Sequence, residues 1–94
     1  YSAANSFVMY LKGQSGVTVV GDVTGGGAGM PLSTELPNGW SARFSACPMY
    51  DRQMQLTEMG IAPDVKAGIS SADYARGVDT IIETARGLLR GAGH

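Results

Sequence analysis

Ser2 stands at the head of the stretch YSAANSFVMYLKG, with two alanines behind it and a helix-like apolar run after them. A serine there has two uses. Its hydroxyl can accept a hydrogen bond from a first-turn N–H and cap the helix. It can instead attack a carbonyl, with the free N–H groups at the helix start holding the oxyanion that forms. Ala3 and Ala4 leave room for a substrate carbonyl, and the Ala3 N–H is the natural oxyanion donor. The local pattern by itself favours the cap. As a nucleophile Ser2 would need a base, because a lone serine hydroxyl is weak.

Other reactive residues are scarce. Cys47 is the single cysteine and His94, the last residue, is the single histidine. One thiol and one terminal imidazole cannot build a metal-ligand cluster, so no metal and no cofactor is expected. His94 is read as non-catalytic, since terminal residues are usually mobile. The loop GDVTGGGAGMP (21–31) follows an apolar run, as a phosphate loop would. It lacks the Lys-Ser/Thr pair, and its glycines miss the dinucleotide spacing: Gly25 and Gly27 lead to Met30, and Gly27 and Gly29 lead to Leu32. It reads as a tight turn with close backbone approach. Met49, Met54 and Met59 read as gap-filling or loop residues. Arg43 and Arg52 read as a solvated face, and Trp40 and Phe44 as core.

The chain has 94 residues, a net charge of −1 and 44% hydrophobic residues. Those values bound one small domain and exclude a disordered tail. No basic stripe points to nucleic acid, and no apolar run approaches the roughly 20 residues of a membrane span. No signal peptide or lipidation motif is present. The chain opens at Tyr1 without an initiator Met and reads as a piece of something longer.

Positioning these residues requires a mixed fold. Residues 2–12 predict a helix with Phe7, Tyr10 and Leu11 on its inner face, stopped at Gly13. VTVVG (17–21) predicts a strand buried on both faces. Residues 32–36 predict a strand that turns at PNG (37–39). WSARFSACPMY (40–50) alternates with period two, which predicts a half-buried strand ended by Pro48. GIAPDV (60–65) predicts a turn into a short extended piece. A final helix carries Val78, Ile81, Ile82, Ala85 and Leu89 at helical spacing, capped by Ser71 or Asp73 and ended at Gly91 and Gly93. Helix, loop and buried strand in succession are α/β grammar.

Taken in order, SAAN opening a helix, VVGDVTGGG, LPNG and GIAPDV resemble the C-terminal-processing (tail-specific) serine peptidase family. The resemblance spans nearly the whole chain. It implies an α/β fold, here a fragment of a crotonase-like catalytic core: the C-terminal part of a peptidase catalytic domain, with the upstream part absent. It implies an endopeptidase that cuts unfolded proteins or peptide tails, in the bacterial periplasm or cell envelope. The family nucleophile carries over to Ser2, three residues before Asn5, where many relatives have Glu.

One departure bears on mechanism. Many members use a lysine base that aligns with Gly27, where no amine stands. Lys12 is ten residues along the Ser2 helix, roughly 15 Å away by helical rise, and cannot replace it. The chain then resembles the lysine-less branch of the tricorn core protease. That branch implies a histidine base from upstream, oriented by a carboxylate just before the Gly-x-x-Pro-Asp motif. Glu58 is the candidate, while Asp64 is read as fixing the turn after Pro63. The alternative is a non-catalytic peptide- or lipophile-binding module of the same fold, resembling retinoid-binding modules of the photoreceptor matrix. Either way, open sheet edges predict self-association or dependence on the upstream half of the domain.

Overall fold

The computed structural model describes residues 1–92. In chain order the elements are α1 (Ala3–Leu11), β1 (Val20–Gly21), β2 (Met30–Glu35), β3 (Ser41–Cys47), β4 (Val65–Lys66), α2 (Ser71–Ala75) and α3 (Thr80–Ala92). This is a mixed α/β chain, as expected.

The alanines at the start of α1 favour helix, and the Lys12 N–H closes the last turn on Val8 O at 2.8 Å. Gly13, at φ 78°, then reverses the chain. The buried face differs from the expected one. Phe7 and Tyr10 are exposed, while Asn5 and Met9 are buried. These two lie one helical turn apart and meet the Thr57 segment: the Asn5 amide donates to Thr57 O, and the Thr57 hydroxyl reaches Met9 Sδ.

Strand β1 is shorter than VTVVG. It pairs in parallel with β4, Val20 opposite Val65 and Gly21 opposite Lys66. Pro63 has no N–H and cannot extend the ladder. Asp64 takes over instead: its Oδ2 accepts from Val19 N–H at 2.8 Å, and its own N–H donates to Val19 O at 2.8 Å. Val17, Val19 and Val20 are therefore half-buried rather than enclosed.

Strands β2 and β3 form an antiparallel hairpin from Met30↔Cys47 to Glu35↔Ser41, with an irregularity beside Pro31. The PNG turn closes it as predicted. Gly39 sits at φ 83° and its N–H donates to Leu36 O at 2.9 Å. The hairpin is not half-buried, however. Trp40 is 72% exposed and Phe44 52%, so neither is core. Period two shows which sheet face is apolar, and no described residue supplies a layer above it.

The predicted last helix is two helices parted at Gly77, φ 69°. Ser70, not Ser71, caps α2, its Oγ accepting from Asp73 N–H at 3.1 Å. Asp79 caps α3, its Oδ1 accepting from Ile81 N–H at 2.9 Å and Ile82 N–H at 3.1 Å. Helix α3 lies against β1: a Cβ on Gly21 would sit 3.8 Å from Ile81 Cγ2. Gly91 is inside α3, and Gly93 and His94 lie outside the described residues.

The chain forms a slab of 61 × 34 × 14 Å with a radius of gyration of 17.8 Å. A compact chain of this length would have about 12 Å. Met9 and Ile61 are the buried apolar residues among those described. No described helix is long and apolar enough to cross a membrane.

Candidate active site

Ser2 occupies the position before α1 but makes no capping bond through its side chain. Its backbone is the reason. At φ 54° and ψ −124° it lies near the first central residue of a type II′ turn, not in the extended region an N-cap uses. Holding a non-glycine residue there costs about 1–3 kcal/mol. The Ser2 N–H donates to Gly26 O at 2.9 Å, and Ser2 O accepts from Ser6 N–H at 3.0 Å, fixing the residue between loop and helix. Its side of the helix is open, with Ser2, Ala3 and Ala4 all exposed. The Ala3 N–H belongs to the first turn, which has no intrahelical acceptor, and it has no hydrogen-bond partner among the described residues.

The glycine loop runs between Ser2 and Glu58. Gly26 receives the Ser2 N–H, the next residue donates from Gly27 N to Glu58 O at 2.8 Å, and Gly29 N–H donates to Glu58 Oε2 at 2.9 Å. The other carboxylate oxygen, Oε1, accepts from Ser45 Oγ at 2.9 Å. Glu58 thus clamps the loop to β3 through both carboxylate oxygens. It borders the same loop as Ser2, but no hydrogen bond joins the two side chains among the described residues. Gly26 admits nothing larger: a Cβ there would lie 2.1 Å from Glu58 O. At Gly27 there is space, and a Cβ would stand 4.0 Å from Ser2 N. A side chain at position 27 would therefore begin beside Ser2, and this chain has none.

The residue that the sequence reading did not single out for the site is Asn5. Its side chain is fully buried. Its Nδ2 donates to Thr57 O at 3.2 Å, while Oδ1 accepts from Gly26 N–H at 3.2 Å and from the Thr24 hydroxyl. Thr24 Oγ1 in turn accepts from Ile61 N–H at 2.7 Å. The available signal was a poor helix former among small residues in the first turn of α1.

The remaining candidates stand apart. Lys12 spends its ammonium on Ala62 O and pairs with Asp64 Oδ1 at 3.9 Å. Asp64 bonds Val19 and so holds the β4 segment to the β1 segment, a structural part other than the turn expected of it. Arg52 donates to Gly13 O at 3.3 Å, closing the end of α1. Arg43 and Cys47 are exposed, as are Met54 and Met59. No group of three His, Cys, Asp or Glu side chains suited to a metal occurs among the described residues. Asp73, within α2, reaches the start of α3 through the Thr80 hydroxyl. Hydrogen bonds from Thr80, Arg76 and Ser70 hold its carboxyl below the ordinary aspartate value.

Comparison with known proteins bears on this arrangement. No curated protein matches the sequence. Among solved structures, the crystal structure of a "putative peptidase" from Parabacteroides merdae matches with a TM-score of 0.90 and 57% identity. The match covers 95% of this chain and 28% of that one, so the chain spans little over a quarter of the protein it resembles. Residues 1–67, which hold Ser2, the glycine loop and Glu58, match peptidase family S41. The chain belongs to peptidase family S41.

Proposed function

We propose that this chain is the nucleophile-bearing part of a serine endopeptidase domain acting on peptide tails or unfolded protein. The observation that carries the reading is the backbone of Ser2. It is strained, locked between Gly26 and Ser6, and leaves its hydroxyl free of the helix cap, next in sequence to the Ala3 N–H, which has no partner among the described residues. Strain of this kind persists where the surroundings enforce it, and it clusters at reacting groups.

In this reading Ser2 Oγ attacks the scissile carbonyl and gives its proton to a base. The Ala3 N–H and the positive end of α1 stabilise the oxyanion. The tetrahedral species collapses as the C–N bond breaks and the proton passes to the leaving amine. Water then hydrolyses the acyl-enzyme. The base is a histidine supplied from a segment upstream of this chain, since position 27, beside Ser2, is glycine and offers no amine. Glu58 is the carboxylate that orients that histidine, by the logic of the serine triad.

The slab geometry supports a part of a larger domain. The β2–β3 hairpin, with Leu32, Trp40 and Phe44 exposed, needs a covering layer, and the peptidase structure this chain matches is several times its length. The test is an endopeptidase assay on an unfolded polypeptide, using the whole protein in which these residues occur. Ser2→Ala abolishes hydrolysis, and Glu58→Gln lowers kcat by about 100-fold or more. Residues 1–94 alone hydrolyse nothing. Hydrolysis by that isolated chain, lost in Ser2→Ala, would overturn the need for an external base. A whole protein that binds peptide but never cleaves it would favour the binding module.

A further inference from the structure

We infer that Asn5 is a positioning residue for Ser2, and that it acts as an amide through simultaneous donation and acceptance inside the glycine loop. The inference rests on Ser2 being the nucleophile, and its test separates the two claims.

Three segments meet at the Asn5 side chain. The Oδ1 atom takes the Gly26 N–H at 3.2 Å and the Thr24 hydroxyl, and Nδ2 gives a hydrogen bond to Thr57 O at 3.2 Å. Gly26 is also the residue whose carbonyl receives the Ser2 N–H. One peptide unit away from Ser2, the loop is therefore held from the opposite side by a side chain of the helix that Ser2 begins. One end of the constraint is Ser2, just before α1, the other is Asn5, three residues on within it, and Gly26 is fastened between them. Thr24 extends the same network, its backbone N–H donating to Ile61 O at 3.0 Å and its hydroxyl accepting from Ile61 N–H. Releasing Asn5 removes the hold on the N–H side of Gly26, so the peptide that anchors Ser2 is tied from one side, by Gly27 N–H to Glu58 O, instead of two.

The amide is chemically specified. Asn5 is fully buried, so each polar atom must be satisfied by protein. It accepts on one atom and donates from the other. A carboxylate of the same shape would accept equally well at Gly26 and Thr24 but would set a second acceptor against Thr57 O. Burial and that lone-pair contact favour its neutral form, and the neutral acid regains a donor. The partners facing Asn5 from the loop and from the Thr57 segment are uncharged groups of Thr24, Gly26 and Thr57. The Glu58 carboxylate, next in sequence, is engaged by Gly29 and Ser45. Any new pH dependence in Asn5→Asp therefore originates at the substituted group.

The experiment measures the rate at which a fluorophosphonate probe labels Ser2 in the whole protein, across pH, for wild type, Asn5→Asp, Thr24→Val and Thr24→Ser. Wild type that labels at Ser2 establishes the nucleophile, and wild type that does not label refutes that reading before any variant is compared. Given labelling, Asn5→Asp labels roughly tenfold more slowly at neutral pH, the cost of one broken buried hydrogen bond. Its deficit relative to wild type shrinks as pH falls. Thr24→Val is slowed to a similar degree and Thr24→Ser is close to wild type, which tests the network even where Asn5→Asp fails to fold. Wild-type rates in Asn5→Asp or Thr24→Val, or a folded Asn5→Asp whose deficit is the same at every pH, would overturn the inference.

Discussion

Ser2 shows how a residue's type and its backbone carry different information. The pattern of serine before two alanines and a helix reads correctly as a helix start, yet the hydroxyl caps nothing. The reason is the φ of 54°, which no local pattern announces because a non-glycine residue adopts it only under tertiary constraint. That constraint predicts a stability trade-off. Ser2→Gly should stabilise the whole protein by about 1 kcal/mol through relief of strain, less the added chain entropy of glycine. Ser2→Ala should give no such gain, and urea unfolding of the two variants measures the difference. Equal stabilities would mean that the backbone at Ser2 is unstrained. Gly26 is the opposite case, where the glycine run was legible and its use as close backbone approach correct. Gly26→Ala, at φ 74° and with its Cβ against Glu58 O, should destabilise by about 3 kcal/mol or more. Unfolding midpoints near wild type would refute that packing.

At the scale of elements, the turns were more legible than the burial. PNG specified the hairpin because Gly39 alone meets its positive φ without cost. The parting of α2 from α3 was also written in the sequence, in Gly77 as a stop and Asp79 as a cap, but the apolar spacing from Val78 onward concealed it. The burial of α1 was misread because Phe7, Tyr10 and Leu11 define an apolar face, whereas a polar residue, Asn5, occupies the inward one. The junction of α2 and α3 carries a pH prediction. Asp73 is held below its ordinary value of 3.8, chiefly by Thr80 and then by Arg76 and Ser70. A depressed carboxyl stabilises the folded state fully above its unfolded value and loses that contribution as pH falls through the lower folded one. Amide exchange in α2 and the first turn of α3 should therefore quicken as pH drops below about 4, after correction for intrinsic rates. Asp73→Asn should remove that dependence. Unchanged pH dependence in the variant would place its origin elsewhere.

At the scale of the molecule, the period-two pattern of β3 told which residues share a face and not whether that face is covered. Trp40 and Phe44 stay exposed because this slab is 14 Å thick, little more than one layer. Residues 1–94 prepared alone should self-associate, and Leu32→Lys with Phe44→Lys, which face each other in the hairpin, should reduce that association in sedimentation. A monodisperse, cooperatively unfolding monomer would contradict the picture of a slab in need of cover. The order of the motifs was enough to reach the peptidase family, since family likeness follows the spacing of loops along the chain. The network that holds Ser2 was not legible, because Asn5, Thr24, Gly26 and Thr57 are brought together only by folding. The central claim is that Ser2 is the activated nucleophile of the whole protein. Fluorophosphonate labelling followed by peptide mapping tests it most directly. One adduct is expected, on Ser2, absent in Ser2→Ala; a catalytically active protein that remains unlabelled at Ser2 would rule that role out.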